Sequence, residues 1–129
     1  MIYYKNYINI SVYECFDKAP DSLAISIQTS VGTICLACIY RSPSLSNNQN
    51  DQLVSCMADI CNESNDFETV IVGDLNLPDV SWKTGAVNGL TDSNNKILIA
   101  QRKFMDLFNT KGMSWYFTNE TPSSTIKQR

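Results

Sequence analysis

The chain has 129 residues, 43% hydrophobic and 18% charged, which suits one small globular domain with a sizeable core and leaves little room for two. Ten Lys and Arg against thirteen Asp and Glu give a net charge of −3 and a pI near 4.7, which excludes the basic footprint of a high-affinity, sequence-independent nucleic-acid binder but leaves weak contact open. There is no histidine, so Ser-His-Asp and Cys-His catalysis, His-ligated zinc and an imidazole proton shuttle are excluded within these residues.

The longest apolar run, Ile34 to Tyr40, is strand-sized and far short of the roughly 20 residues that a membrane-spanning helix needs. Met1 to Asn6 has neither a charged n-region nor an apolar h-region, so no signal peptide is expected. The chain is read as intracellular, nuclear or cytoplasmic, with no membrane partner. Five cysteines, an odd number without a secretory signal, predict free thiols rather than a disulfide framework. Cys35-x-x-Cys38 lies in a strand-like run that points its two thiols to opposite faces, and Cys56 and Cys61 diverge on a helix, so all four are read as small apolar residues.

In chain order, Ile8, Ile10 and Val12, then Leu23, Ile25 and Ile27, alternate with polar residues at the period of half-buried strands, with a loop over Asp17 to Asp21 between them. A glycine-bearing turn at Ser30 to Thr33 leads into Ile34 to Tyr40, apolar on both faces and so a central strand. Ser42 to Asn48 is loop chemistry able to cap a helix from about Asn48 or Gln49, whose apolar face is Leu53, Cys56, Met57, Ile60 and Cys61. Thr69 to Gly73 is a short buried strand. A second helix is expected from about Ser93 to Thr110, with Ile97, Leu98, Gln101, Phe104, Met105 and Phe108 on one stripe and Lys111-Gly112 as its stop. Met113 to Thr118 is a final strand, and residues 119–129 are expected to be a frayed tail after a domain over 1–118. The alternation of strands and helices gives the α/β (α+β) class.

Two segments carry chemistry. In Val70-Ile71-Val72-Gly73-Asp74-Leu75-Asn76-Leu77-Pro78 an apolar strand ends at a glycine and presents an acid and an amide two residues apart, on one side of extended backbone. Such a carboxylate can orient and deprotonate a water while the amide holds the carboxylate or an oxyanion; equally, Asp74 and Asn76 can bond local backbone in a turn. In Cys38-Ile39-Tyr40-Arg41-Ser42-Pro43 a buried strand delivers Tyr40 and Arg41, a pair able to bind phosphate, to its edge. If the two strands are parallel neighbours joined by the first helix, both segments meet on one rim.

Ile39-Tyr40-Arg41-Ser42-Pro43-Ser44, the amphipathic helix, and Val70 to Trp82 with its Gly73-Asp74-Leu75-Asn76-Leu77-Pro78 core resemble the endonuclease/exonuclease/phosphatase superfamily. More narrowly they resemble the apurinic-type endonuclease domain of non-LTR retrotransposons, with Leu75 where Phe is commoner. The resemblance implies a fragment of a two-sheet β-sandwich flanked by helices, and a divalent metal, Mg2+ or Mn2+, used to hydrolyse a phosphodiester in DNA at a retrotransposon target site. It implies Asp74 as the acid that activates or positions water and meets the metal, Asn76 as the amide orienting that acid and the phosphate, Tyr40 as a phosphate contact, and Arg41 as a phosphate or loop contact. The family's metal-binding Glu and terminal Asp-His elements have no match here, and Glu14 is read as a solvent-facing strand or loop residue. Slow or absent cleavage is therefore expected. The alternatives are a phosphoester hydrolase acting on a lipid or inositol phosphate, and a non-catalytic interaction domain offering surfaces such as Trp115-Tyr116-Phe117; self-association through exposed sheet edges is a further expectation.

Overall fold

The computed structural model describes residues 3, 5–14, 19, 21–63, 68–88, 96–117 and 124–128; for residues 63, 96, 97, 115–117 and 124–128 the description is of the backbone. The strands are β1 (Ile10–Val12), β2 (Ser22–Thr29), β3 (Gly32–Tyr40), β4 (Glu68–Asp74), β5 (Val80–Ser81), β6 (Ala86–Val87), β7 (Met113–Phe117) and β8 (Ser124–Gln128), and the helices α1 (Asn47–Glu63) and α2 (Lys96–Thr110). Among the described residues six strands form one mixed sheet in the order β1-β2-β3-β4-β8-β7, and β5 and β6 form a separate hairpin. The class is mixed α/β, as expected, with one large sheet layer of the implied sandwich and its helices present.

Period-two alternation divides the sheet into two faces. On β3, Thr33, Cys35, Ala37 and Ile39 are buried, and the last three share a core with Leu53, Met57 and Ile60 of α1 and Phe104 and Phe108 of α2. The opposite face carries Ile8, Ile10, Ile25, Ile27 and Leu36, which with Tyr3, Lys5 and Tyr7 line a shallow apolar hollow of about 590 Å³. Val12, expected to be half-buried, is 55% exposed on its short edge strand.

Local chemistry sets the helix limits. Ser46 caps α1 through a reciprocal box: its Oγ accepts from the Gln49 N–H at 3.3 Å while Gln49 Oε1 accepts from the Ser46 N–H at 3.0 Å. α1 starts at Asn47, a residue ahead of the expected start, and its predicted apolar face is buried. Cys56 and Cys61 both enter the core as small apolar residues, as expected, because a helix face buried against a sheet and a second helix is wide enough to include both. α2 ends at Thr110, followed by Gly112 at φ +61°. The start of α2 expected at Ser93 falls outside the described residues, as do the loop over 17–18 and Pro20 and the side chains of Ile97 and Trp115 to Phe117.

The frayed end expected over 119–129 is corrected by β8. Ser124–Gln128 pairs antiparallel with Val70 to Gly73 of β4 on one side and with Met113 to Phe117 of β7 on the other. Backbone hydrogen bonding from two neighbours makes it a strand despite a sequence without apolar periodicity. Residues 119–123 and 129 are outside the described residues.

One buried polar atom is out of keeping with this core. Thr69 is fully buried in β4, and its Oγ1 has no hydrogen-bond partner among the described residues. Val has the same shape without the hydroxyl, so Thr69→Val is expected to stabilise the fold by about 1 kcal/mol, read as a raised midpoint in urea unfolding at unchanged slope. A lowered midpoint would show that the hydroxyl is satisfied in solution.

Candidate active site

β3 and β4 run parallel with Ile39 opposite Gly73 and Tyr40 opposite Asp74. α1 supplies the crossover, so the carboxyl ends of two adjacent strands deliver both motifs to one rim, as the sequence led us to expect. Tyr40 is 46% exposed there. The glycine before the acid has a steric cause. Gly73 has φ +139°, and a Cβ built on it would collide with the Ile39 carbonyl, lying 2.7 Å from its carbon. The group that approaches this glycine is the neighbouring strand's own backbone.

Beyond Asp74 the chain leaves the sheet in a tight loop. Asp74 Oδ1 accepts from the Asn76 backbone N–H at 2.9 Å, an Asx turn. Asn76 sits at φ +46°, a left-handed conformation that Asn tolerates better than most side chains, and its Nδ2 donates to the Arg41 carbonyl at 2.8 Å. The local-turn reading is thus observed for Asp74 alone; the Asn76 side-chain amide bonds the end of the neighbouring strand instead of local backbone. The turn engages one oxygen of the acid, and among the described residues Asp74 Oδ2 is left for other chemistry.

Arg41 stands beneath this loop. It is 3% exposed. Its Nε donates to Asn50 Oδ1 at 2.8 Å, and one terminal nitrogen donates to the carbonyls of Leu75 at 3.2 Å and Asn76 at 2.9 Å. Asn50, on α1, uses its own Nδ2 to bond the carbonyls of Leu45 and Ser46. The guanidinium also lies 5.8 Å from the centre of the Phe104 ring. Burial lowers the Arg41 pKa from its ordinary value, and among the described residues no carboxylate pairs with it. Of the two roles read for Arg41, phosphate contact and loop contact, these bonds show the loop contact.

A groove of about 420 Å³ opens over the loop, lined by Asp74 and Asn76 together with Pro43, Leu75, Leu77, Pro78, Val80 and Trp82. It combines an acid and an amide with an apolar wall, the composition of a small-molecule or polymer-backbone site. Among the described residues no three His, Cys, Asp or Glu side chains form a metal-holding group. The described donor set is one carboxylate with one oxygen already in a turn, which does not fit a resident Mg2+ or Mn2+, a hard cation that wants several oxygen ligands. Glu14 is exposed, as read from the sequence.

Two residues of the site escaped sequence reasoning. Asn50 looks like any polar residue near a helix start. Gln101, at 0% exposure, was placed on the apolar stripe of α2, but its amide bonds Asp79, which immediately follows the groove-lining Pro78. A polar residue inside an apolar stripe was the signal available.

A family model described as endonuclease-reverse transcriptase matches residues 34–129. That span begins in β3 and runs through both motifs, both helices and β8. No curated protein gave a match to the chain.

Proposed function

Since the chain belongs to the endonuclease-reverse transcriptase family, within the endonuclease/exonuclease/phosphatase superfamily, we propose that it forms part of a retrotransposon-type endonuclease domain that hydrolyses phosphodiester bonds in DNA. The observation that carries this reading is the register of Tyr40 against Asp74 at the carboxyl edge of two parallel strands, beside the Asn76 amide. In it, Asp74 Oδ2 accepts a proton from, and aims, the attacking water. Asn76 holds the other carboxylate oxygen through its backbone N–H and so fixes the acid's orientation. Tyr40, half-exposed on the adjacent strand, donates its hydroxyl to a phosphate oxygen, and the apolar wall from Leu75 to Trp82 limits competing water. Membrane contact is no part of this reading; among the described residues no helix is long and apolar enough to cross a membrane.

The test is nicking of supercoiled plasmid in magnesium or manganese, with Asp74→Ala and EDTA controls, beside duplex binding by fluorescence anisotropy. With a single described carboxylate at the site, nicking is expected to be slow or absent, and any nicking seen is expected to be lost in Asp74→Ala. Duplex binding is expected to be weak and weakened about tenfold further by Tyr40→Ala. Nicking that survives Asp74→Ala, or no duplex binding by folded chain, would overturn the reading. Hydrolysis of an inositol phosphate in preference to DNA would select the lipid-phosphate alternative.

A further inference from the structure

The loop that bears the acid and the amide is tied to the interior at both ends. Arg41, held by Asn50 of α1, bonds the carbonyls of Leu75 and Asn76 at the front. At the rear, Gln101 of α2 makes two bonds to one residue: its Oε1 accepts from the Asp79 backbone N–H at 2.9 Å, and its Nε2 donates to Asp79 Oδ2 at 2.7 Å. The Asp79 carbonyl in turn accepts from the Asn88 N–H at 2.6 Å, and the Val80 N–H donates to the Leu77 carbonyl at 3.2 Å. Asp79 is therefore held through its N–H, its carbonyl and its carboxylate, immediately after Leu77 and Pro78 of the groove wall.

We propose that Gln101 is a positioning residue: by holding Asp79 it fixes the wall from Leu77 to Trp82 against Asp74 and keeps Asn76 in register with the acid. Three observations support it. Gln101 is fully buried on the same helix stripe as Leu98, Phe104 and Met105, where an amide persists only if both of its polar atoms are bonded. Both bonds go to one residue of the site loop, so the side chain sets a direction as well as a distance. The Arg41 anchor acts on Leu75 and Asn76, leaving residues 77 to 80 to be set from α2. The inference rests on the nuclease reading for its consequence in catalysis; the clamp itself is independent of what the groove binds.

Amide hydrogen exchange of the full chain tests it without any need for nicking. Gln101→Leu removes both bonds in a residue of similar size. The Asn76, Val80 and Asn88 amides are expected to exchange about tenfold faster, while the core-strand amides of β3 and β4 keep their rates to within about twofold, as local rather than global opening requires. The double variant Gln101→Glu with Asp79→Asn reverses the polarity of the side-chain bond, while the introduced carboxylate can still accept from the backbone N–H at position 79, and it is expected to restore all three slow rates. Gln101→Glu alone sets two carboxylates together and is expected to be fast. Should Gln101→Leu fail to fold, Asp79→Ala leaves α2 untouched, and the Asn76 and Val80 amides are expected to accelerate about threefold to fivefold through loss of the side-chain bond. A uniform rise across core strands and loop, unchanged Asn76 and Val80 rates in folded variants, or no rescue by the double variant would overturn the proposal. Rates that move as expected with no duplex binding would instead leave the clamp standing and remove the nuclease reading.

Discussion

Gly73→Ala is expected to be the most damaging small substitution in this chain, costing about 3–5 kcal/mol and lowering the thermal midpoint by about 10–20 °C. Two terms add. A side chain at φ +139° is strained by roughly 1–3 kcal/mol wherever it stands. Here the new Cβ also meets the Ile39 backbone, 2.7 Å from its carbon and 3.0 Å from its nitrogen, and those atoms belong to the adjacent parallel strand and cannot swing aside. Gly32 separates the terms: it has φ +145° and nothing within 4 Å of a built Cβ. Gly32→Ala should therefore show only the conformational cost. Equal losses for the two variants, by circular-dichroism melting, would mean that β3 and β4 can part at this point and that the close approach is not what requires the glycine.

Arg41→Met is expected to cost about 3 kcal/mol, although Met replaces much of the apolar stem. The substitution strands Asn50 Oδ1 and the carbonyls of Leu75 and Asn76 beneath the site loop. Unpaired buried acceptors cost more than the bonds they lose, and the loss falls on Asp74 and Asn76 at once. Arg41→Lys tests geometry against charge. A single ammonium cannot reproduce the fork that reaches α1 with Nε and the loop with a terminal nitrogen, so it should recover less than half of the loss. Denaturant titration gives the values, and full recovery by Lys would show that the charge, not the fork, is what the loop needs.

The elements that were legible in the sequence are those whose cause is local. The Ser and Asn residues of 42 to 48 signal a helix cap, Lys111-Gly112 a stop, and the apolar run Ile34 to Tyr40 a central strand. The meeting of the two motifs on one rim was legible as a condition, that the two strands joined by one helix lie parallel and adjacent, and the register of Tyr40 with Asp74 meets it. What escaped was decided by distant partners. Ser124 to Gln128 has a single apolar residue, and only the free edges of β4 and β7 make it a strand. An arginine at the start of a loop is usually solvated; Arg41 is interior because α1 returns Asn50 to it and the loop folds back over it. Gln101 read as a gap in an apolar stripe because its partner Asp79 lies on another element.

The place of β8 bears on how the chain acquires its sheet during synthesis. β4 is complete at Asp74, but its second neighbour begins only at Ser124, after α2 and β7. Until then β3 and β4 form a parallel pair with one bare edge, since the partner of that edge in the finished sheet is β8 and not β7. Closing so long a loop is slow compared with forming a hairpin, so β7 and β8 pair first and dock together as a finished two-stranded ribbon. The nascent chain thus carries an open strand edge, beside the residues that later form its candidate site, through much of its elongation, and the last of these strands to be made is also the one that seals it.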